Sequence, residues 1–221
     1  MKNILCYGDS NTWGYIPLGC GKRYPDGVRW TSLLQKKLGS GYHVYEAGLC
    51  GRTTVYEDPD NDYRRGSKFL PATLDICAPL DLVLIMLGSN DVKACFGQTP
   101  QQITEGLEVL VQQIKDFPFG PDTPNGMPQI LLVAPAPMRD TVFGSDMEYF
   151  SDGKTIMFDK ASVEKSHALA PCYKALAEKH GCHFFDAASV IQSSDGDGLH
   201  LSPEAHKGLA EGLYASITSI L

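Results

Sequence analysis

No stretch of the chain stays apolar for anything near the ~20 residues that a bilayer-spanning helix needs, so a membrane partner is not expected. Basic residues are the scarcer charge. The 19 Lys and Arg against 26 Asp and Glu leave a net charge of −7, which argues against nucleic acid or an anionic lipid surface as ligand. Cysteine pairing is missing too: Cys6, Cys20, Cys50, Cys77, Cys95, Cys172 and Cys182 make 7, an odd count, and no two stand in C-x-x-C spacing. Thiols in that pattern suit small packed side chains in a reducing compartment. The first strand-like run begins at Ile4, which leaves no room for a signal peptide ahead of it, so a cytoplasmic location is expected. Repeats, low-complexity tracts and linkers are absent as well. The 221 residues, 43% of them hydrophobic, are therefore expected to form a single domain, 1–221, with a substantial core.

What is present is a series of short apolar runs separated by helical patterns. Ile4–Tyr7, His43–Tyr45, Leu82–Leu87, Ile130–Ala134 and His183–Phe185 are apolar on consecutive positions, the mark of strands buried on both faces. Between them, Trp30–Gly39 spaces its apolar residues three and four apart and ends in a glycine. Thr99–Phe117, with Thr99 as N-cap and Pro100 behind it, and Ser162–His180, closed by Gly181, repeat that design. Ser202-Pro203-Glu204 opens a last helix, and the Pro/Gly-rich stretch Phe117–Pro128 reads as a loop. Strands alternating with helices imply a parallel sheet covered on both faces, an α/β fold of flavodoxin-like, three-layer α/β/α type with five strands.

The residues that carry chemistry fall at the carboxyl ends of these strands. Ser10, in Gly8-Asp9-Ser10-Asn11-Thr12, follows the first strand, and Asp197-Gly198-Leu199-His200 precedes the last helix. A serine hydroxyl is a poor nucleophile until a base takes its proton, and an imidazole held by a carboxylate is the usual base. Asp197 stands one turn before His200, close enough for its carboxylate to meet Nδ1 and leave Nε2 facing Ser10. The other histidines, His43, His167, His180, His183 and His206, are expected to be surface or packed residues, His180 and His183 flanking a strand start and His206 lying in a helical stretch. Asn90, in Leu87-Gly88-Ser89-Asn90-Asp91, can offer a side-chain N–H to a developing oxyanion, and Glu46–Thr54 can present backbone N–H groups at the same sheet edge. Asp9 and Asp91 are expected to hold loops. Trp13, Tyr15 and Phe143 are candidate walls of the substrate pocket, and the aperiodic segment Met138–Phe150 is expected to cover the site or to meet another subunit.

These four blocks, in this order, resemble the SGNH hydrolases, the GDSL-type esterases and lipases. Gly8-Asp9-Ser10-Asn11-Thr12-Trp13-Gly14, Arg52-Thr53-Thr54 and Leu80–Asp91 are most similar to the arylesterase and acyltransferase branch, which handles short acyl esters. Asn11 departs from the pattern, standing where the family name has Leu. The resemblance implies a strand order of 2-1-3-4-5 and an oxyanion hole formed by Ser10, Gly51 and Asn90 beside the triad Ser10, Asp197 and His200. It also implies a serine esterase acting on a small-molecule acyl ester, with acyl transfer where an alcohol replaces water, and with no cofactor and no metal.

Rival readings use fewer of these residues. Ser10-Asn11-Thr12-Trp13-Gly14 also has the look of a hydroxyl-rich phosphate loop, as in a flavin-binding electron carrier, but that leaves Asn90 and the Asp197/His200 pair without a task. Asp195, Asp197 and His200 could serve a divalent metal, yet the remaining ligands of a Ca²⁺ loop are absent. A non-catalytic binder of esters or carbohydrates on the same fold is the third. Aromatic and apolar residues in the long loops make a homo-oligomer an expectation.

Overall fold

The computed structural model describes residues 1–59 and 61–221. Five strands, β1 (Lys2–Gly8), β2 (Tyr42–Gly48), β3 (Leu82–Met86), β4 (Gln129–Ala134) and β5 (His183–Asp186), form one sheet in the order β2-β1-β3-β4-β5. Every pairing is parallel, with Ile4 opposite Val44 on one side and Leu82 on the other. Consecutive apolar residues in the strands are explained by burial on both faces. Leu5, Tyr7, Val83, Ile85 and Leu132 point into one apolar cluster, while Ile4, Cys6, Leu84, Met86 and Leu131 point into the other.

Helices close both faces. The four-residue α1 (Ser10–Trp13) follows β1 directly, and α2 (Trp30–Leu38) precedes β2. The first cluster packs against α3 (Gly66–Cys77), α4 (Pro100–Asp116) and α5 (Lys160–His180); the second packs against α2 and α6 (Pro203–Ile220). Among the described residues, no helix is long and apolar enough to cross a membrane.

One expected helix start shifts, and one helix lies where none was expected. α5 begins at Lys160, because Asp159 rather than Ser162 is its N-cap; the Asp159 side chain accepts from Ser162 N and the Ser162 side chain returns the bond, forming a capping box. The patterns in the sequence leave 54–81 unassigned, whereas α3 lies there. Pro71 sits inside α3 and has no N–H for the Ser67 carbonyl four residues back. Gln113 of α4 supplies the missing donor, its Nε2 standing 2.9 Å from that carbonyl. Replacing Gln113 by Leu should therefore lower the unfolding free energy by about 1 kcal/mol with an unchanged urea m-value, measured by equilibrium denaturation.

Candidate active site

In a sheet of this order the loops leaving β1 and β3 part to opposite faces, and a crevice opens at the carboxyl ends of the two strands. Ser10 arrives there because the chain turns into α1 immediately after β1. Asp9 makes the turn as N-cap, its Oδ1 accepting from Asn11 N at 2.9 Å. The Ser10 carbonyl accepts from Gly14 N and Tyr15 N, which fixes the residue from behind.

Three side chains meet in one chain of hydrogen bonds. Ser10 Oγ lies 2.9 Å from His200 Nε2, and His200 Nδ1 lies 2.7 Å from Asp197 Oδ2. Asp197 Oδ1 accepts from the backbone N–H groups of Leu199 and His200, so the acid orients the loop as well as the ring. Burial alone would push the Asp197 carboxyl up; the bonds from the His200 ring and from these N–H groups outweigh it and hold the acid below its ordinary range. An ionised acid in that place fixes the Nδ1–H tautomer and leaves Nε2 free to take the serine proton. Gly198, at φ +69°, permits the loop: a Cβ there would lie 2.4 Å from Val142 N and 2.6 Å from the Arg139 carbonyl.

Asn11 occupies a place in this assembly that its departure from the family pattern did not suggest. Its Nδ2 donates to the Leu199 carbonyl at 3.3 Å, tying the serine turn to the histidine loop across the crevice. Asn90 is also buried at the cavity wall, and its Nδ2 uses one N–H on the Arg52 carbonyl at 3.2 Å. Gly51, at φ +80°, lines the same wall, where a Cβ would lie 2.5 Å from Arg64 Nε. The guanidinium of Arg52 is buried beneath these loops, donating to the carbonyls of Gly8 and Ala47 and lying 4.0 Å over the Tyr7 ring.

The other candidates lie elsewhere. His206 is fully buried, accepts from Trp30 N at 3.2 Å, and is pushed down to about 4 chiefly by burial, the state of a packed neutral histidine. His180 pairs with Glu108, His183 with Gln129 and His167 with the Met138 carbonyl, while His43 lies against the Tyr45 ring. Asp195 is exposed and pairs with Arg139 at 2.7 Å, away from His200. Among the described residues no three His, Cys, Asp or Glu side chains gather as a metal would require.

A cavity of about 240 Å³ opens over Ser10, His200, Asn90 and Gly51. Its lining combines apolar Met147, Phe150, Met157 and Phe158 with polar Arg64, Lys93 and Asp146, the Lys93 ammonium lying 5.5 Å from the Phe150 ring centroid. The segment after β4 thus covers the site with its second half. Tyr15 lines the cavity, but the expectation for Trp13 and Phe143 needs correction, since neither does. The Trp13 ring is taken up by the Arg23 guanidinium, 5.2 Å from its centroid, and the turn at 140–142 leaves Phe143 on the outer surface. Residues with no motif to mark them complete the wall: Lys93 is buried and bonded to Asp58 Oδ2 at 2.5 Å, and Asp58 also pairs with Arg64 at 2.7 Å. A wider groove of about 500 Å³ between α2 and α6 is lined by Val28, Leu33 and Ala210 with Lys36, Lys37, Lys207 and Glu211, and none of the residues above lies on it.

The sequence pattern of the GDSL-like Lipase/Acylhydrolase family matches residues 6–207. The chain belongs to this family. Solved structures agree: the aryl esterase of M. smegmatis shares 38% identity and a TM-score of 0.89 with this acylhydrolase-family protein, over 100% of both chains. A carbohydrate acetylesterase family member from Sinorhizobium meliloti shares 40% identity and a TM-score of 0.88 over 100% of this chain and 99% of the other. An acetylxylan esterase of Xylanibacter ruminicola is 24% identical over 231 aligned positions, 97% of this chain, which spans only 42% of that larger protein.

Beneath the site, Asp91 behaves oppositely to Asp197. Its Oδ1 accepts from both Thr54 N and Thr54 Oγ1, clasping the loop that carries Gly51, yet burial pushes its carboxyl up to about 6 despite those bonds. A carboxyl raised on folding binds its proton more tightly in the folded state, so its ionisation costs stability as pH rises through about 6. Asp91→Asn, which keeps an oxygen for Thr54, should therefore gain about 1 kcal/mol on the wild type between pH 5 and pH 7. Urea denaturation of both proteins at the two pH values measures this, and an equal difference at both would contradict it.

Proposed function

We propose that this protein is a serine esterase that cleaves short-chain acyl esters through an acyl-enzyme on Ser10. The observation that carries the reading is the unbroken hydrogen-bonded chain from Ser10 Oγ through His200 to Asp197, with Ser10 and His200 lining the cavity. As Ser10 Oγ attacks the ester carbonyl, its proton passes to His200 Nε2, and Asp197 holds the imidazolium by its Nδ1–H. The carbonyl oxygen becomes an oxyanion held by the Ser10 and Gly51 N–H groups and by the Asn90 N–H that Arg52 leaves unused; each such donor is worth about 10²–10³ in rate. Collapse of the tetrahedral intermediate expels the alcohol with the proton from His200. Water then gives a proton to the same nitrogen and attacks the acyl-enzyme, returning Ser10 and releasing the acid.

The small volume of the cavity and its apolar wall of Met147, Phe150, Met157 and Phe158 support a short acyl group. The same wall favours an alcohol over water at the second step, so acyl transfer to alcohols belongs to this reading. The aryl esterase and carbohydrate acetylesterase among the related structures point to an aryl or sugar alcohol half, and of the two the polar lining residues Arg64, Lys93 and Asp146 suit a hydroxyl-rich sugar. Hydrolysis of p-nitrophenyl acetate, butyrate and octanoate should fall with chain length, and Ser10→Ala should lower kcat for the acetate by at least about a thousandfold with an unchanged thermal midpoint. Equal rates in the two proteins would refute the assignment.

A further inference from the structure

Both nitrogens of the His200 imidazole are engaged, Nε2 with Ser10 and Nδ1 with Asp197, so a further polar contact to the ring system falls on its faces or its C–H edges. One face is covered. The Tyr15 ring stacks on it with centroids 4.2 Å apart and planes inclined by 25°. Tyr15 is itself held in place at two points: its N–H donates to the Ser10 carbonyl at 3.0 Å, and its hydroxyl accepts from Gly21 N at 3.0 Å. A single residue thus touches the serine through its backbone and the imidazole through its ring, while its hydroxyl is turned away to the 19–23 turn.

We propose that Tyr15 is a positioning residue for acyl transfer, its ring face holding the His200 imidazole in line with Ser10 and favouring the imidazolium over the neutral ring. The proposal rests on the serine-esterase reading. His200 is only 2% exposed, so a positive charge created there by the serine proton is poorly solvated by water. Asp197 meets that charge at one edge, and the negative face of an aromatic ring meets it from above, as in any contact between a cation and a π-system. Imidazolium forms in both acylation and deacylation, so the contribution persists whichever step limits turnover. A stack that acted only by packing would be indifferent to the charge distribution of the ring.

That difference is measurable by replacing Tyr15 with phenylalanine and then with its mono-, di- and trifluorinated analogues, which keep the ring's shape while draining its negative face. Against p-nitrophenyl acetate, kcat should fall stepwise with fluorination, about tenfold over the series relative to Tyr15→Phe, with thermal midpoints unchanged. A flat series, a loss confined to KM, or a kcat that falls only in parallel with the thermal midpoint would overturn the proposal. Ser10→Ala, assayed beside the series, separates the two readings. Turnover that survives it overturns the serine-esterase reading and the stacking role together, whereas turnover lost with it alongside a flat series overturns the stacking role alone.

Discussion

β1 is hydrogen-bonded on both sides, to β2 and to β3, and its carboxyl end therefore brings the loops of three parallel strands together beside the crevice. Ser10, Gly51 and Asn90 come from those three loops. Because the strands run in one direction, no hairpin can bring their ends together; the sheet itself has to do it, and the two apolar clusters on its faces hold it in register. Asp197 and His200 come from the far end of the chain, on the loop that enters α6, and reach the same edge because α6 packs on the α2 face.

Holding these loops still requires buried polar groups whose charges differ in kind. Asp197 is kept ionised by the bonds it accepts, which is the state an imidazole partner needs. Asp91, as deeply buried, is pushed toward its neutral form while it clasps Thr54. Two carboxylates near one crevice are assigned to different tasks by their surroundings, one to electrostatics and one to fastening. The same division applies to the cations: Arg52 serves backbone carbonyls and a ring face and is lowered by burial, whereas Lys93 is matched by the Asp58 carboxylate. A buried charge without such partners would cost several kcal/mol, so the loops have few alternative arrangements.

What was legible in the sequence follows from how local each signal is. The strands could be read because burial on two faces leaves consecutive apolar residues, and Asp197 with His200 because one turn of chain joins them. α3 could not be, since Pro71 speaks against a helix and the donor that compensates for it, Gln113, lies in another element. Lys93 and Asp58 are ordinary charged residues until the fold pairs them, and Asn11 looks like a lapse from a family pattern until its amide meets the Leu199 carbonyl. Trp13 and Phe143 were misjudged for a related reason: proximity in sequence to a strand end says which edge a side chain lies near, and says nothing of whether it turns inward or out. Tyr15, two residues from Trp13, turns inward because its backbone is fastened to Ser10.

The segment after β4 links the shape of the cavity to the placing of the Asp197–His200 loop. Its first half, at Arg139–Val142, presses against Gly198 so closely that no Cβ would fit, and the Arg139 N–H donates to the Gly198 carbonyl at 2.9 Å. Its second half supplies Met147, Phe150, Met157 and Phe158 to the cavity wall. Any change that reshapes this wall by moving the segment must also push on the loop that carries Asp197 and His200, where an error of about 1 Å costs on the order of a hundredfold in rate. The cavity can therefore vary by exchanging side chains on a fixed backbone far more readily than by changing the backbone's length or path. Where a relative accommodates a different acyl group, the difference is expected in the residues of the second half, with the glycine at the Asp197–His200 turn and its backbone neighbours left as they are.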